Sequence, residues 1–168
     1  MNKDINSLLK RYPKKRRPLS KELKKIFNEE YSKNRANFLS QLSESWMHLS
    51  IKGRKSKKKN STLEVGAGSL NHIKYEGPNN LHKYNIIEPQ TFLLRNNKFL
   101  KKVKIYKNIN QIKKGSLDRI ISTAVLEHML ELPEFLASSS KFLKKDGYHS
   151  HSIPCEGYPL WHLMWNIV

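Results

Sequence analysis

The sequence predicts an α/β domain built on a doubly wound, mostly parallel sheet, with helices ahead of it. Three observations carry this. After residue 60, short apolar runs of strand length alternate with helical or loop stretches. Two of those runs carry an acid at or near their ends, Glu64 and Glu88. The first leads directly into a pair of glycines, Gly66 and Gly68. Strand, helix, strand order implies a parallel sheet covered by helices. Ligands of such sheets sit beyond the carboxyl ends of the strands.

Residues 1–19 are polar and basic, with Pro13 and Pro18 as breakers, and read as a loose arm. Ser20 can cap a helix that presents Leu23, Ile26, Phe27 and Tyr31 on one face. A second helix is expected from about Ala36 to Leu49, with Phe38, Leu39, Leu42, Trp46 and Leu49 on one side. Residues 51–61, "IKGRKSKKKNS", have no apolar face and read as a linker. The expected organisation is an arm, helices and Lys-rich linker over 1–59 and a core over 60–168.

Within the core, "STLEVGA", "KYNIIEP" (83–89), "KKVKIYKN" (101–108) and "LDRIISTAV" (117–125) are the first four strands. A helix should begin near Pro133, a residue suited to a first helical position, and stop at Asp146-Gly147. "YHSHSIP" then supplies a fifth strand. The chain ends inside an apolar stretch, "LWHLMWNIV", where a seven-stranded core would continue. The expectation is a core cut short after its fifth strand, with the apolar C-terminal segment available for homodimerisation.

The 168 residues, 38% of them hydrophobic, suffice for one domain. No apolar run reaches membrane-spanning length, and no signal-type segment follows the N-terminus, so a cytoplasmic location is expected. The single cysteine, Cys155, excludes an internal disulfide. The formal charge of +18, part of it in runs at 14–17 and 55–59, attracts phosphates or nucleic acid. No aromatic residues interleave with these runs as base stacking requires, so a solvated lysine coat is preferred.

The glycines let the backbone turn tightly and approach a ligand without a Cβ in the way. Glu88, 20 residues after Gly68, stands where both hydroxyls of a ribose can be gripped. The pattern therefore suits an adenosine-containing cofactor. A dinucleotide site needs a third glycine leading into a helix, but Asn71 holds that place. A carboxylate at Glu64 would repel a pyrophosphate and attract a sulfonium or ammonium group. This favours S-adenosylmethionine over NAD.

"LEVGAGSLNH", "NIIEP", "LDRIISTAVLEHM", "FLKKDGYHSHSIP" and the following "CEG" together resemble a class I S-adenosylmethionine-dependent methyltransferase. The similarity is greatest to the small-molecule branch with an L-E-H step after the fourth strand. It covers about residues 60–160. The resemblance implies that Glu64, Gly66, Ala67 and Gly68 line the methionine end of the cofactor. It implies that Glu88 holds the ribose, with Pro89, Asn108 and Ile109 around the adenine. Ser122, Thr123 and Ala124 would lie near the methyl group. The family usually has a third glycine two residues after Gly68; this chain has Leu70.

His128, after Glu127, is the candidate base, although a structural role packing beneath the cofactor is the stronger expectation for it. Trp46 is expected as a core anchor, and His72 as a loop-bonding, solvated or ligand-contacting residue. His149 and His151 share a strand face, but no third ligand is evident and no metal is expected. Cys155 lacks an assignable basic partner and reads as a bystander thiol. The function expected is methyl transfer to an oxygen, nitrogen or carbon of a small metabolite. The alternatives are an RNA methyltransferase using the basic surface, a non-catalytic cofactor-binding remnant, and an NAD enzyme.

Overall fold

A computed structural model of the chain describes residues 7, 20–23, 25–26, 38–53 and 58–154. The basic run at 14–17, most of the run at 55–59, Phe27, Tyr31, Cys155 and the C-terminal apolar segment lie outside the described residues. So does the dimerisation expected through that segment. No helix among the described residues is long and apolar enough to cross a membrane.

Five parallel strands form one sheet in the order β3-β2-β1-β4-β5. They are β1 (Ser61–Val65), β2 (Lys83–Ile87), β3 (Val103–Tyr106), β4 (Leu117–Thr123) and β5 (Leu143–Ser152). The chain runs outward from β1 to β3, then returns to place β4 on the other side of β1. That reversal puts the switch point between the carboxyl ends of β1 and β4.

β1 is buried along its whole length, as a central parallel strand with both faces covered should be. Its alternate residues serve two layers. Leu63 and Val65 join Ile112, Leu117, Ile120 and Phe142 on one face. On the other, Ile51, Ala67, Leu70, Ile73, Tyr84, Ile86, Leu94 and Ile121 pack together. Thr62 and Glu64 point into this second layer.

The first four strands fall inside the expected stretches. The crossovers differ from expectation. Three of the four are carried by 3-10 turns, at Asn71–Tyr75, at Thr91–Leu94 with Leu100–Lys102, and at Ile109–Gln111. Only the last contains an α-helix, α2 (Leu132–Ser139), with a proline in its first turn.

The helix stop expected at Asp146-Gly147 is corrected to Ser139. The hydroxyls of Ser138, Ser139 and Ser140 bond back to the carbonyls of Phe135 and Leu136, at 2.9–3.3 Å. These local bonds compete with helix propagation. Asp146-Gly147 lies instead within β5, in a bulge between the pairs Leu117↔Leu143 and Arg119↔Tyr148. Lys144 Nζ anchors this bulge to both oxygens of Asp118, at 2.8 Å.

Ahead of the sheet, Ser20 Oγ accepts from the amide of Leu23 at 3.1 Å, as expected of a helix cap. α1 (Phe38–Ser50) lies where the second helix was expected, but the other way out. Its polar side faces the domain. Asn71 Nδ2 donates to Glu44 Oε1 at 2.9 Å, and Tyr75 donates to Ser45 Oγ at 2.9 Å. Leu42, Trp46 and Leu49 face outward, Trp46 being 74% exposed. Trp46 is therefore not a core anchor. The surface beneath α1 includes Asn71, His72, Tyr75 and Thr123, which offer hydrogen bonds rather than an apolar hollow.

Candidate functional site

β1 ends at Val65, and the next five residues hold three left-handed backbone positions: Gly66 (φ 68°), Gly68 (φ 51°) and Leu70 (φ 60°). Each glycine answers a different need. A Cβ on Gly66 would stand 2.4 Å from Val125 Cγ2, because the loop closes over the segment that leaves β4. A Cβ on Gly68 would meet nothing within 4 Å, so there the loop borders open space and only the dihedral calls for glycine. Leu70 keeps the glycine-like conformation of the position where the resembled family has a third glycine. Its side chain is 1% exposed, and core burial offsets the backbone strain.

The loop and the end of β2 are joined directly. The Gly66 amide donates to Ile87 O at 2.8 Å. The Gly68 amide donates to Glu88 Oε2 at 2.6 Å, and the Gln90 amide donates to Glu88 Oε1 at 2.7 Å. Gly66, Gly68 and Glu88 thus gather at one edge of one sheet. Pro89 is exposed beside Glu88. Tyr106 pairs with Ile87, which brings Asn108 and Ile109 to the same edge, with Asn108 capping its 3-10 turn through the Asn110 amide at 3.1 Å. Ala124 at the end of β4 is also left-handed (φ 52°), its amide bonded to Ser152 O at 2.8 Å. Such backbone strain gathers at functional sites.

Glu64 is placed differently from the sequence argument. It is 2% exposed and accepts from the Tyr84 hydroxyl at 2.8 Å. Burial pushes its carboxyl up to about 8, against the opposing pull of the Tyr84 hydrogen bond. Without a cation beside it, burial favours the protonated form of Glu64 near neutral pH. Thr123 Oγ1 lies 3.3 Å from His48 Nδ1, and Ser122 Oγ lies 2.8 Å from His151 Nδ1.

The His128 side chain is 67% exposed and 4.0 Å from Glu127 Oε1, and its backbone amide donates to Val125 O at 2.9 Å. His72 is fully buried, neither solvated nor on the crevice. Its Nε2 bonds Glu76 Oε1 at 2.7 Å, and its Nδ1 lies 3.2 Å from His48 Nδ1.

A buried polar cluster behind the crevice was not anticipated from the sequence. Its centre is Glu76, which takes His72 Nε2, the Gly53 amide at 3.1 Å and Asn80 Nδ2 at 2.9 Å. Arg119, fully buried on β4, brings Nη2 to 2.6 Å from Glu76 Oε1 and donates from Nε to Thr62 Oγ1 at 2.9 Å. The Nη2 approach is short but not aligned as a hydrogen bond, so it acts mainly through charge. Gly53 makes room for the guanidinium, since a Cβ there would lie 2.5 Å from Arg119 Nη1. Burial would raise the Glu76 carboxyl, but the His72 hydrogen bond and the Arg119 charge outweigh it and bring it down to about 2. Burial in turn lowers His72 and favours its neutral form. The signal in the sequence was Arg119 itself. A charged residue between Leu117 and the Ile120-Ile121 pair of a central strand has to find a buried partner.

No family model matches the chain, and no curated protein matches its sequence. Solved structures do match. A chain from the complex of the Trm112 methyltransferase activator with a protein assigned as a methyltransferase, from Haloferax volcanii, superposes with a TM-score of 0.57 at 10% identity. The match covers 76% of this chain and 58% of that one. A Methanococcus maripaludis protein assigned as an S-adenosylmethionine-dependent methyltransferase matches with a TM-score of 0.50 at 11% identity, over 82% of this chain and 66% of that one. The chain thus spans less than two thirds of the length of either. Its order of parallel strands, its switch point and these superpositions give it the Rossmann-like fold of the S-adenosylmethionine-dependent methyltransferases.

Proposed function

We propose that the chain binds S-adenosylmethionine at the carboxyl edge of β1, β2 and β4 and serves methyl transfer to an oxygen, nitrogen or carbon of a small metabolite. The observation that carries this is the meeting of the Gly68 loop with Glu88. A carboxylate held in place by two backbone amides is aimed beside a loop position with open space above it.

In this reading Glu88 exchanges its bond to the Gly68 amide for the ribose hydroxyls. Pro89, Asn108 and Ile109 flank the adenine. The Gly66–Gly68 backbone, with Ala67 between, faces the methionine end. Ser122, Thr123 and Ala124 border the methyl group. Glu64 supports the loop from beneath through Tyr84. The bound cofactor supplies an electrophilic methyl group on a sulfonium. The chain's own part is alignment of the acceptor with that group, which accounts for much of the rate in such displacements. His128, exposed and close after β4, is the residue proposed to take the acceptor's proton.

A second reading rests on the +18 formal charge: the acceptor is an RNA whose phosphates lie along the lysines. Strongly salt-dependent RNA binding would favour it over a small metabolite.

Calorimetric titration of the full chain with S-adenosylmethionine, S-adenosylhomocysteine and NAD tests the proposal. Saturable binding of the first two and none of NAD is expected. A folded chain that binds neither adenosyl ligand refutes it.

A further inference from the structure

β5 carries two imidazoles on the sheet face opposite the Glu76–Arg119 cluster. His149 and His151 occupy alternate positions and pair in register with Ile120 and Ser122. His149 Nδ1 and His151 Nε2 stand 3.1 Å apart, with ring centroids separated by 5.3 Å and planes tilted by 36°. A zinc–imidazole bond is about 2.0–2.1 Å long, which sets two nitrogens on one ion about 2.9 Å apart at a right angle and about 3.3 Å apart at the tetrahedral angle. The observed separation falls between these.

The outward nitrogens are also provided for. His151 Nδ1 lies 2.8 Å from the hydroxyl of fully buried Ser122, and His149 Nε2 lies 3.5 Å from that of Ser140. Ligating histidines almost always donate their second N–H to an oxygen, which fixes the tautomer and the ring orientation. Ligation through the two facing nitrogens would leave the N–H of each neutral ring on its outward nitrogen, toward Ser122 and Ser140.

We infer that His149 and His151 form a two-histidine site for a divalent, imidazole-seeking transition-metal ion, its remaining positions filled by water. Among the described residues no group of three or more histidine, cysteine, aspartate or glutamate side chains is placed to hold a metal. The site is therefore an open chelate rather than a closed cage. The affinity order of divalent ions puts copper(II) first, ahead of nickel and zinc.

The test is calorimetric titration of the full chain with copper(II) chloride in a non-coordinating buffer. One equivalent is expected, with affinity reduced at least about tenfold in H149Q and in H151Q, as loss of a ligand requires. H82Q, which removes an exposed histidine elsewhere, should bind as the unaltered chain does. Unchanged affinity in H149Q or H151Q overturns the assignment. A measurement on the unaltered chain stands independently of how the variants fold. Substoichiometric copper should broaden the ring resonances of His149 and His151 ahead of the other histidines, and equal broadening of all of them overturns the site.

Discussion

The Gly68 amide donates to Glu88 Oε2 across 2.6 Å, tying the loop that follows β1 to the carboxylate that follows β2. One side chain thereby holds the loop next to Gly68, where a Cβ would meet nothing within 4 Å. Glu88→Ala removes both the hydrogen bonds to the loop and the proposed grip on the ribose. Affinity for S-adenosylmethionine should fall by about 1–3 kcal/mol, read by calorimetry. An affinity equal to that of the unaltered chain removes Glu88 from the site.

Leu70 sits in the left-handed region while its side chain fills the core. Truncating it removes buried surface and costs about 2–5 kcal/mol. The two truncations should rank in an unusual order. Alanine keeps the strained dihedral, which costs about 1–2 kcal/mol, whereas glycine relieves it. Leu70→Gly is therefore expected to be more stable than Leu70→Ala by about 0.5–1 kcal/mol, the reverse of the usual preference. Urea midpoints of the two variants decide.

Glu64 and Glu76 drive stability in opposite directions with pH. Below about 4.5 Glu64 is protonated whether the chain is folded or not. Between 4.5 and about 8 the unfolded chain gives up this proton while the folded chain holds it, so stability falls as pH rises. Glu76 titrates near 2 when folded, so its contribution is complete above about 4.5 and is lost as pH falls toward 2. Glu64→Gln keeps an acceptor for Tyr84 and removes the first effect. At pH 8 it should be more stable than the parent by on the order of a few kcal/mol, a gain that vanishes near pH 4.5. Thermal melts across this range measure it.

Arg119→Met leaves the Glu76 carboxylate buried without its cation. The expected loss is about 3–5 kcal/mol. Adding Glu76→Gln should recover part of it, because a neutral amide no longer needs the charge. A double variant no more stable than Arg119→Met would show that the loss comes from packing around the guanidinium instead.

Much of the sheet was legible because its strands are apolar runs of the right length bounded by turn residues. β1, β2 and β4 are buried, and burial selects such runs. The start of β5 was not legible. "LKKDG" is exposed at Lys144, Lys145 and Asp146, belongs to a bulged edge and pairs only at Leu143, so its residues read like the tail of the preceding helix. The meeting of the glycine loop with Glu88 was legible because a left-handed backbone and an acid at a strand end leave a direct mark on sequence. The Glu76–Arg119 cluster was not, because its members lie far apart in the chain and meet only when the sheet closes. The amphipathic pattern of α1 gave the helix but not its orientation. Periodicity shows which residues share a side, while polar groups on the receiving surface decide which side goes in.

The outward-facing stripe of α1 has a thermodynamic consequence. The helix is fastened to the domain through Glu44, Ser45 and His48, while Leu42, Trp46 and Leu49 already meet water. Lifting it away uncovers little new apolar surface. Its release is therefore accompanied by a small heat-capacity change and a shallow response to denaturant, unlike opening of the sheet. As urea is added, amide exchange in α1 should barely quicken while that of β1 and β4 accelerates, until complete unfolding overtakes both.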